Sequence, residues 1–295
     1  MSGGTAGGGT AGGGTTSGSI TSGDITGPGT VMEVRKVRKA FGSVQAVAEV
    51  SMTVAAGQVV GLLGPNGAGK STLFGIMAGE LPPDSGSILV GGHNVTSWDP
   101  WKRRRAGIGR TFQVPRTFER LTVSDHIAVA VAADLGNTFC GWRSVDRWLT
   151  RRALAKDRGI IPVLEMTGLA GLGSRVVGSL SFGERKRVEI AAVLAQRPGI
   201  LLMDEPTAGI SAAEAVGLVE LLEAIRTERP ELAIVLTSHD MDVFFRLADE
   251  VLLMLRGSIA LRGAPDYVRT HETTIDTYLG SGTRDRRTGK PDGDV

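Results

Sequence analysis

Cysteine is almost missing from this chain: Cys140 is the only one in 295 residues, so no internal disulfide can form. A lone thiol fits a reducing compartment. Long apolar runs are missing too. A membrane-spanning helix needs about 20 consecutive apolar residues, and the longest stretches, around Ile127 to Ala133 and Val251 to Leu255, fall far short. The N-terminus has neither a basic start nor an apolar core, so no secretory signal is expected. The expected location is therefore the cytoplasm, with membrane contact made through partners or at the surface. Charge of one sign is also lacking: the formal net charge is +2, which gives no electrostatic case for nucleic acid as a partner. No internal repeat is apparent. The remaining composition, 41% hydrophobic and 22% charged, is that of a globular protein long enough for one large domain or two modest ones.

The two ends differ from the middle. Residues 1–30 are nearly all Gly, Thr, Ser and Ala, which cannot bury enough apolar area to offset their ordering entropy. They are expected to form a flexible extension, and the polar residues 282–295 a flexible tail. Between them, strands and helices alternate. Val31 to Val37 and Ala48 to Val54 read as strands, the second half-buried by its alternation. Val59 to Leu63 is nearly continuous apolar sequence, as in a parallel strand covered on both faces. A Gly-rich turn follows, then helical character from Ser71 to Gly79. Ile200 to Met203 and Ala233 to Leu236 are two more buried strands, with a helix over Ala212 to Ile225 between them. Strand, helix, strand in this order predicts an α/β fold with a mainly parallel sheet. The stretch from about Val123 to Leu180 has helix-compatible segments and few strand signals, so it reads as an inserted helical subdomain.

Gly64-Pro65-Asn66-Gly67-Ala68-Gly69-Lys70-Ser71 fits the phosphate-loop pattern GxxxxGK[ST]. Its glycines let successive N–H groups point at phosphate oxygens, and the helix that follows adds its positive end. Lys70 can reach the β- and γ-phosphates, Ser71 can offer its hydroxyl to Mg²⁺, and Thr72 adds a phosphate contact. Alone, this loop leaves kinases, GTPases and many ATPases open. Asp204-Glu205 narrows the choice, because carboxylates at the carboxyl end of a parallel strand face the ligand crevice. Asp204 can hold Mg²⁺ through its water shell, and Glu205 can orient or deprotonate an attacking water. Leu180-Ser181-Phe182-Gly183-Glu184 opens a third element. A serine hydroxyl, the Gly183 N–H and a positive helix end make an anion site. The Lys102 to Arg105 run reads as a solvated helix face rather than a nucleic-acid or lipid patch.

The third motif resembles the signature sequence of ATP-binding-cassette (ABC) ATPases, usually Leu-Ser-Gly-Gly-Gln, with Phe182 and Glu184 as departures. The resemblance spans nearly all of residues 31 to 280. It implies a P-loop NTPase core of the RecA-like kind, with a small antiparallel β subdomain and a helical subdomain at about 114–180, within one nucleotide-binding domain over 31–281. It also implies that Ser181, Phe182, Gly183 and Glu184 cover ATP held by a second subunit. Gln113 matches the glutamine loop that binds Mg²⁺ or the attacking water. His239 matches the switch histidine that bonds the γ-phosphate, and Phe41 an aromatic that stacks on adenine. Ala208 to Ser211 occupies the D-loop, where much of the superfamily has Asp in place of Ser211.

Gly107 to Gln113, Phe118 to Val123, the long segment up to Leu180 and the ending from Gly263 through Gly280 resemble the ATPases of branched-chain amino-acid importers. Relatives serving urea or short amides share much of this. The implied cofactors are ATP and Mg²⁺. The implied partners are a second nucleotide-binding subunit, identical or not, integral membrane permeases at the cytoplasmic face and, indirectly, a solute-binding protein. Two other classes differ in sequence. Translation-type cassettes usually occur twice in one chain and DNA-repair members carry zinc or coiled-coil insertions, and neither feature is seen. A P-loop nucleotide kinase would not need the Leu180 to Glu184 signature.

Overall fold

A computed structural model describes residues 29–134, 160–238 and 241–279. His239, Cys140, residues 282–295 and almost all of residues 1–30 lie outside the described residues.

Two sheets make up the β structure. The smaller is antiparallel, in the order β2-β1-β4-β5, from β1 (Thr30–Phe41), β2 (Val44–Ala55), β4 (Ser85–Val90) and β5 (His93–Asn94). The larger runs β10-β9-β3-β8-β7-β6, from β3 (Val59–Leu63), β6 (Ile108–Thr111), β7 (Ile200–Asp204), β8 (Ala233–Thr237), β9 (Glu250–Leu255) and β10 (Ser258–Gly263). All its pairings are parallel except the β9–β10 hairpin at one edge. Every residue of β3 and β8 is buried, including Thr237 at the end of β8, as expected of nearly continuous apolar sequence in central strands covered on both faces.

The coverage comes from two cores. One packs the antiparallel sheet and α1 (Lys70–Ala78) against one face of the large sheet. The other packs α5 (Phe182–Leu194), α6 (Ala212–Glu228) and α7 (Met241–Leu247) against the opposite face. Gly61 in β3 is small for a reason: a Cβ there would collide with the Phe244 ring of α7. A third core joins α3 (Val123–Asp134) and α4 (Ile161–Met166) to the signature helix α5 through Val123, Ile127, Leu164, Leu169, Val188 and Ala191. The described part of the inserted region is thus helical, with two short 3-10 turns at Ala170–Leu172 and Val177–Ser179.

One sequence expectation is corrected. The Lys102 to Arg105 run lies in α2 (Pro100–Arg105), but Arg103 is buried at 1% exposure and does not belong to a solvated face. Its guanidinium donates to the carbonyls of Ile76 and Met77 at the end of α1, and to those of Thr96 and Trp98. A helix end leaves carbonyls without intrahelical partners, and a planar cation with five donors can satisfy several together. Gly79, left-handed at φ 83°, closes the same helix end. Two short helices, α8 (Pro265–Thr270) and α9 (Glu272–Leu279), finish the described chain.

Candidate nucleotide site

The phosphate loop begins where β3 ends. Gly64, Gly67 and Gly69 have φ of 154, 80 and 100°. A Cβ on Gly64 would strike the Met254 carbonyl of β9, and one on Gly69 the Ala46 carbonyl of β2. The loop is therefore drawn tightly between two strands, and only glycine fits at these two turns. Gly67 meets nothing and needs only its left-handed backbone. Ala68 is buried, Pro65 half-buried and Asn66 exposed. Lys70 is buried, and its ammonium donates to the carbonyls of Gly64 (2.6 Å) and Pro65 (3.0 Å). Burial holds its pKa below the usual lysine range, against the pull of Glu205 and Asp204. Ser71 and Thr72, exposed and half-buried, follow in the first turn of α1.

Two further residues border this loop. Phe41 is 50% exposed at the tip of the β1–β2 hairpin, and Ala46 of the same hairpin touches Gly69. The Phe41 ring already carries a cation, with Lys39 Nζ 5.6 Å from its centroid. Tyr278 of α9 comes to the same loop, where burial pushes its hydroxyl pKa up against the opposing pull of the Gly64 main chain. Sequence reading gave Tyr278 no role, because only folding brings the end of α9 to the loop.

Strand β8 lies between β3 and β7, and it carries a residue that sequence reading passed over. The Thr237 hydroxyl donates to Asp204 Oδ1 (2.8 Å) and accepts the Glu205 N–H (3.0 Å). One side chain thus fixes both acidic residues. Register explains it, since Asp204 and Thr237 pair directly across the parallel strands. Glu205 sits at φ 49°, a left-handed conformation that is uncommon outside glycine and is further disfavoured before Pro206. Such strain costs on the order of 1–3 kcal/mol and persists only where the surroundings hold it. The Gln113 amide donates to Glu205 Oε2 (3.0 Å), joining the glutamine that follows β6 to the glutamate that follows β7. Among the described residues no three His, Cys, Asp or Glu side chains gather as a metal cage. The hydroxyl, carboxylate and amide oxygens of Ser71, Asp204 and Gln113 are instead a sparse, hard donor set. They fit a cation such as Mg²⁺, which keeps waters and takes phosphate oxygens.

The signature element is capped twice over. Ser181 is the N-cap of α5, accepting the Glu184 N–H (3.1 Å), while the Glu184 carboxylate accepts the Ser181 N–H (2.8 Å). Ser211 forms the same kind of box with Glu214 at the start of α6. Glu214 also receives the Ser181 hydroxyl (3.2 Å), so one carboxylate joins signature and D-loop. The Ser211 N–H, then the Ser211 hydroxyl, and less strongly the Ser181 hydroxyl and the Gly183 main chain, hold its pKa below the usual carboxylate range. Phe182 packs over Gly209, where a Cβ would sit 3.2 Å from its ring. No hydrogen bond among the described residues links this element to the phosphate loop of the same chain.

The family model described as ABC transporter matches residues 47–208. The high-affinity branched-chain amino acid transport ATP-binding protein BraF of Pseudomonas aeruginosa is 31% identical over 250 residues, 85% of this chain and 98% of that protein. The sulfate/thiosulfate import ATP-binding protein CysA of Pectobacterium atrosepticum is 32% identical over 255 residues, 86% of this chain and 73% of that protein. A solved nucleotide-free ATP-binding cassette from an ABC transporter is 26% identical, with a TM-score of 0.73, covering 85% of this chain and 99% of that one.

Proposed function

The chain belongs to the ABC transporter family, and from that premise we propose that the ATP it binds and hydrolyses powers the uptake of branched-chain amino acids. The chain is the ATP-hydrolysing subunit of such a transporter. Support for the solute comes from length, since identity is nearly equal at 31% and 32%. The branched-chain relative is matched over 98% of its length, the sulfate relative over 73%. An ATPase subunit does not touch the solute, so the deciding measurement is transport. The complex reconstituted with its permeases should hydrolyse ATP faster with a leucine-loaded binding protein than with a sulfate-loaded one, and the reverse order would reject the solute.

The observation that carries the chemistry is Glu205, strained at a strand end and hydrogen-bonded to Gln113. We assign it as the group that orients and deprotonates the attacking water. Lys70 and the loop from Gly64 to Thr72, through its N–H groups from Asn66 onward, hold the β- and γ-phosphates, and Phe41 stacks on adenine. Ser71, Asp204 and Gln113 would hold Mg²⁺, which when bound neutralises charge on the phosphates. His239 would bond the γ-phosphate beside Glu205. Ser181, Phe182, Gly183 and Glu184 cover the ATP of a second subunit, identical or not.

Residues 31–281 act as one nucleotide-binding domain, with its helical subdomain at about 114–180 passing movement to permeases at the cytoplasmic face. That division of labour suits a chain in which no described helix is long and apolar enough to cross a membrane. Glu205→Gln is expected to bind ATP with unchanged affinity and to lower turnover by roughly two to three orders of magnitude. Hydrolysis at the wild-type rate would remove Glu205 from this role.

A further inference from the structure

Helix α5 does more than present the signature serine. One turn in from Ser181 it carries two buried ionisable side chains, Lys186 at 3% and Glu189 at 5% exposure, three residues apart and so on one face. Each reaches out of the helix to the main chain beside the hydrolytic pair. The Lys186 ammonium donates to the carbonyl of Glu205 (3.1 Å). One Glu189 carboxylate oxygen accepts the N–H groups of Phe112 (3.3 Å) and Arg116 (3.2 Å), which flank Gln113. The Gln113–Glu205 hydrogen bond is thus held from behind at both ends by one helix.

Burying an ammonium is costly unless its bonds repay it. Lys186 is buried among Glu189, Glu205 and Asp204, with its nitrogen 5.8 Å from the Phe182 ring. Glu205 needs such a hold, because a left-handed residue before proline relaxes unless its peptide groups are tied. Thr237 ties its N–H, and Lys186 with the Ala208 N–H ties its carbonyl. Rotation of the Glu205 backbone would swing its carboxylate away from the Gln113 amide.

We propose that Lys186 is a positioning residue for ATP hydrolysis: it transmits the placement of the signature helix to Glu205 of the same chain by fixing the Glu205 carbonyl. A phosphate that draws on the N-terminus of α5 then acts on the glutamate through a single rigid helix. The proposal rests on Glu205 being the group that activates water.

The test compares variants of the full chain by steady-state and single-turnover ATP hydrolysis, with nucleotide affinity measured by a fluorescent ATP analogue. Lys186→Met is expected to lower kcat about tenfold or more while the analogue's Kd stays within about threefold, the split of a group acting on the reaction rather than on binding. Lys186→Arg, which keeps charge and donor, should recover most of the rate. In the Glu205→Gln background Lys186→Met should change the residual rate by less than about twofold, because a group acting through Glu205 has nothing left to act on. If Lys186→Met fails to give a folded melting transition, Lys186→Gln takes its place on the same criteria. A kcat for Lys186→Met within about twofold of wild type overturns the proposal. So does an Arg variant as slow as the Met variant, or a full further loss on top of Glu205→Gln. An active Glu205→Gln would overturn the glutamate assignment, whereas an inactive Glu205→Gln beside a fully active Lys186→Met overturns the role of Lys186 alone.

Discussion

Glu189 shows how a single buried carboxyl can link this site to pH. Burial, the largest influence, pushes it up to about 7, against the N–H groups of Arg116 and Phe112 and the charge of Lys186. In the folded chain it therefore keeps a proton that an unfolded chain releases near the ordinary value of 4.5. Its contribution to stability is fully present below that ordinary value and is lost as pH rises through the folded value. Relative to Glu189→Gln, the wild-type chain should lose up to about 3 kcal/mol between about pH 5 and pH 8, read from denaturant melts across that range. A constant difference between the two proteins would mean that Glu189 is not held this way. Polar residues of this kind were not legible in the sequence. Lys186, Glu189 and Arg103 look like solvated helix positions until the surface they meet is known. Thr237 was invisible for a different reason, because its role depends on strand register rather than on spacing along the chain.

Among elements, legibility followed burial. Strands β3, β7 and β8 read directly from sequence because both their faces are covered and four or more successive residues in each are apolar or glycine. Strand β6, at the sheet edge with Gly109 and Arg110 in its four residues, carries no such pattern and was recognised only as a motif leading to Gln113. Strand β1 (Thr30–Phe41) runs beyond the Val31 to Val37 expected from sequence. A register shift between Val34 and Val37, with Lys36 at φ 46°, moves the buried face from one set of positions to the other. Helix α6 was legible from its apolar period, and its start reflects the Ser211–Glu214 box. Ser211 is thus engaged as a helix cap, where a superfamily Asp would stand. Ser211→Ala should cost about 1 kcal/mol and lower the melting temperature by a few degrees, measurable by calorimetry. An unchanged melting curve would mean the cap contributes nothing.

At the scale of the whole molecule, the phosphate loop and the signature element are committed to different neighbours within one chain. The phosphate loop is wedged between β2 and β9, and the signature is bonded to the start of α6. Under the proposed function they meet only across two copies or two related subunits. Glu205→Gln with ATP and Mg²⁺ should therefore double in mass by light scattering and return to a single mass when nucleotide is removed. Ser181→Arg in the same background should stay single. A single mass in every condition would count against the paired arrangement.

The hold on Lys70 has one more consequence. Its ammonium is already sheltered by two oxygens of the loop it is meant to serve. A triphosphate entering there does not find a bare cation but must trade places with those carbonyls. The affinity of the site is the net of that swap, so loosening the inner pair would tighten nucleotide without adding a single new contact to it.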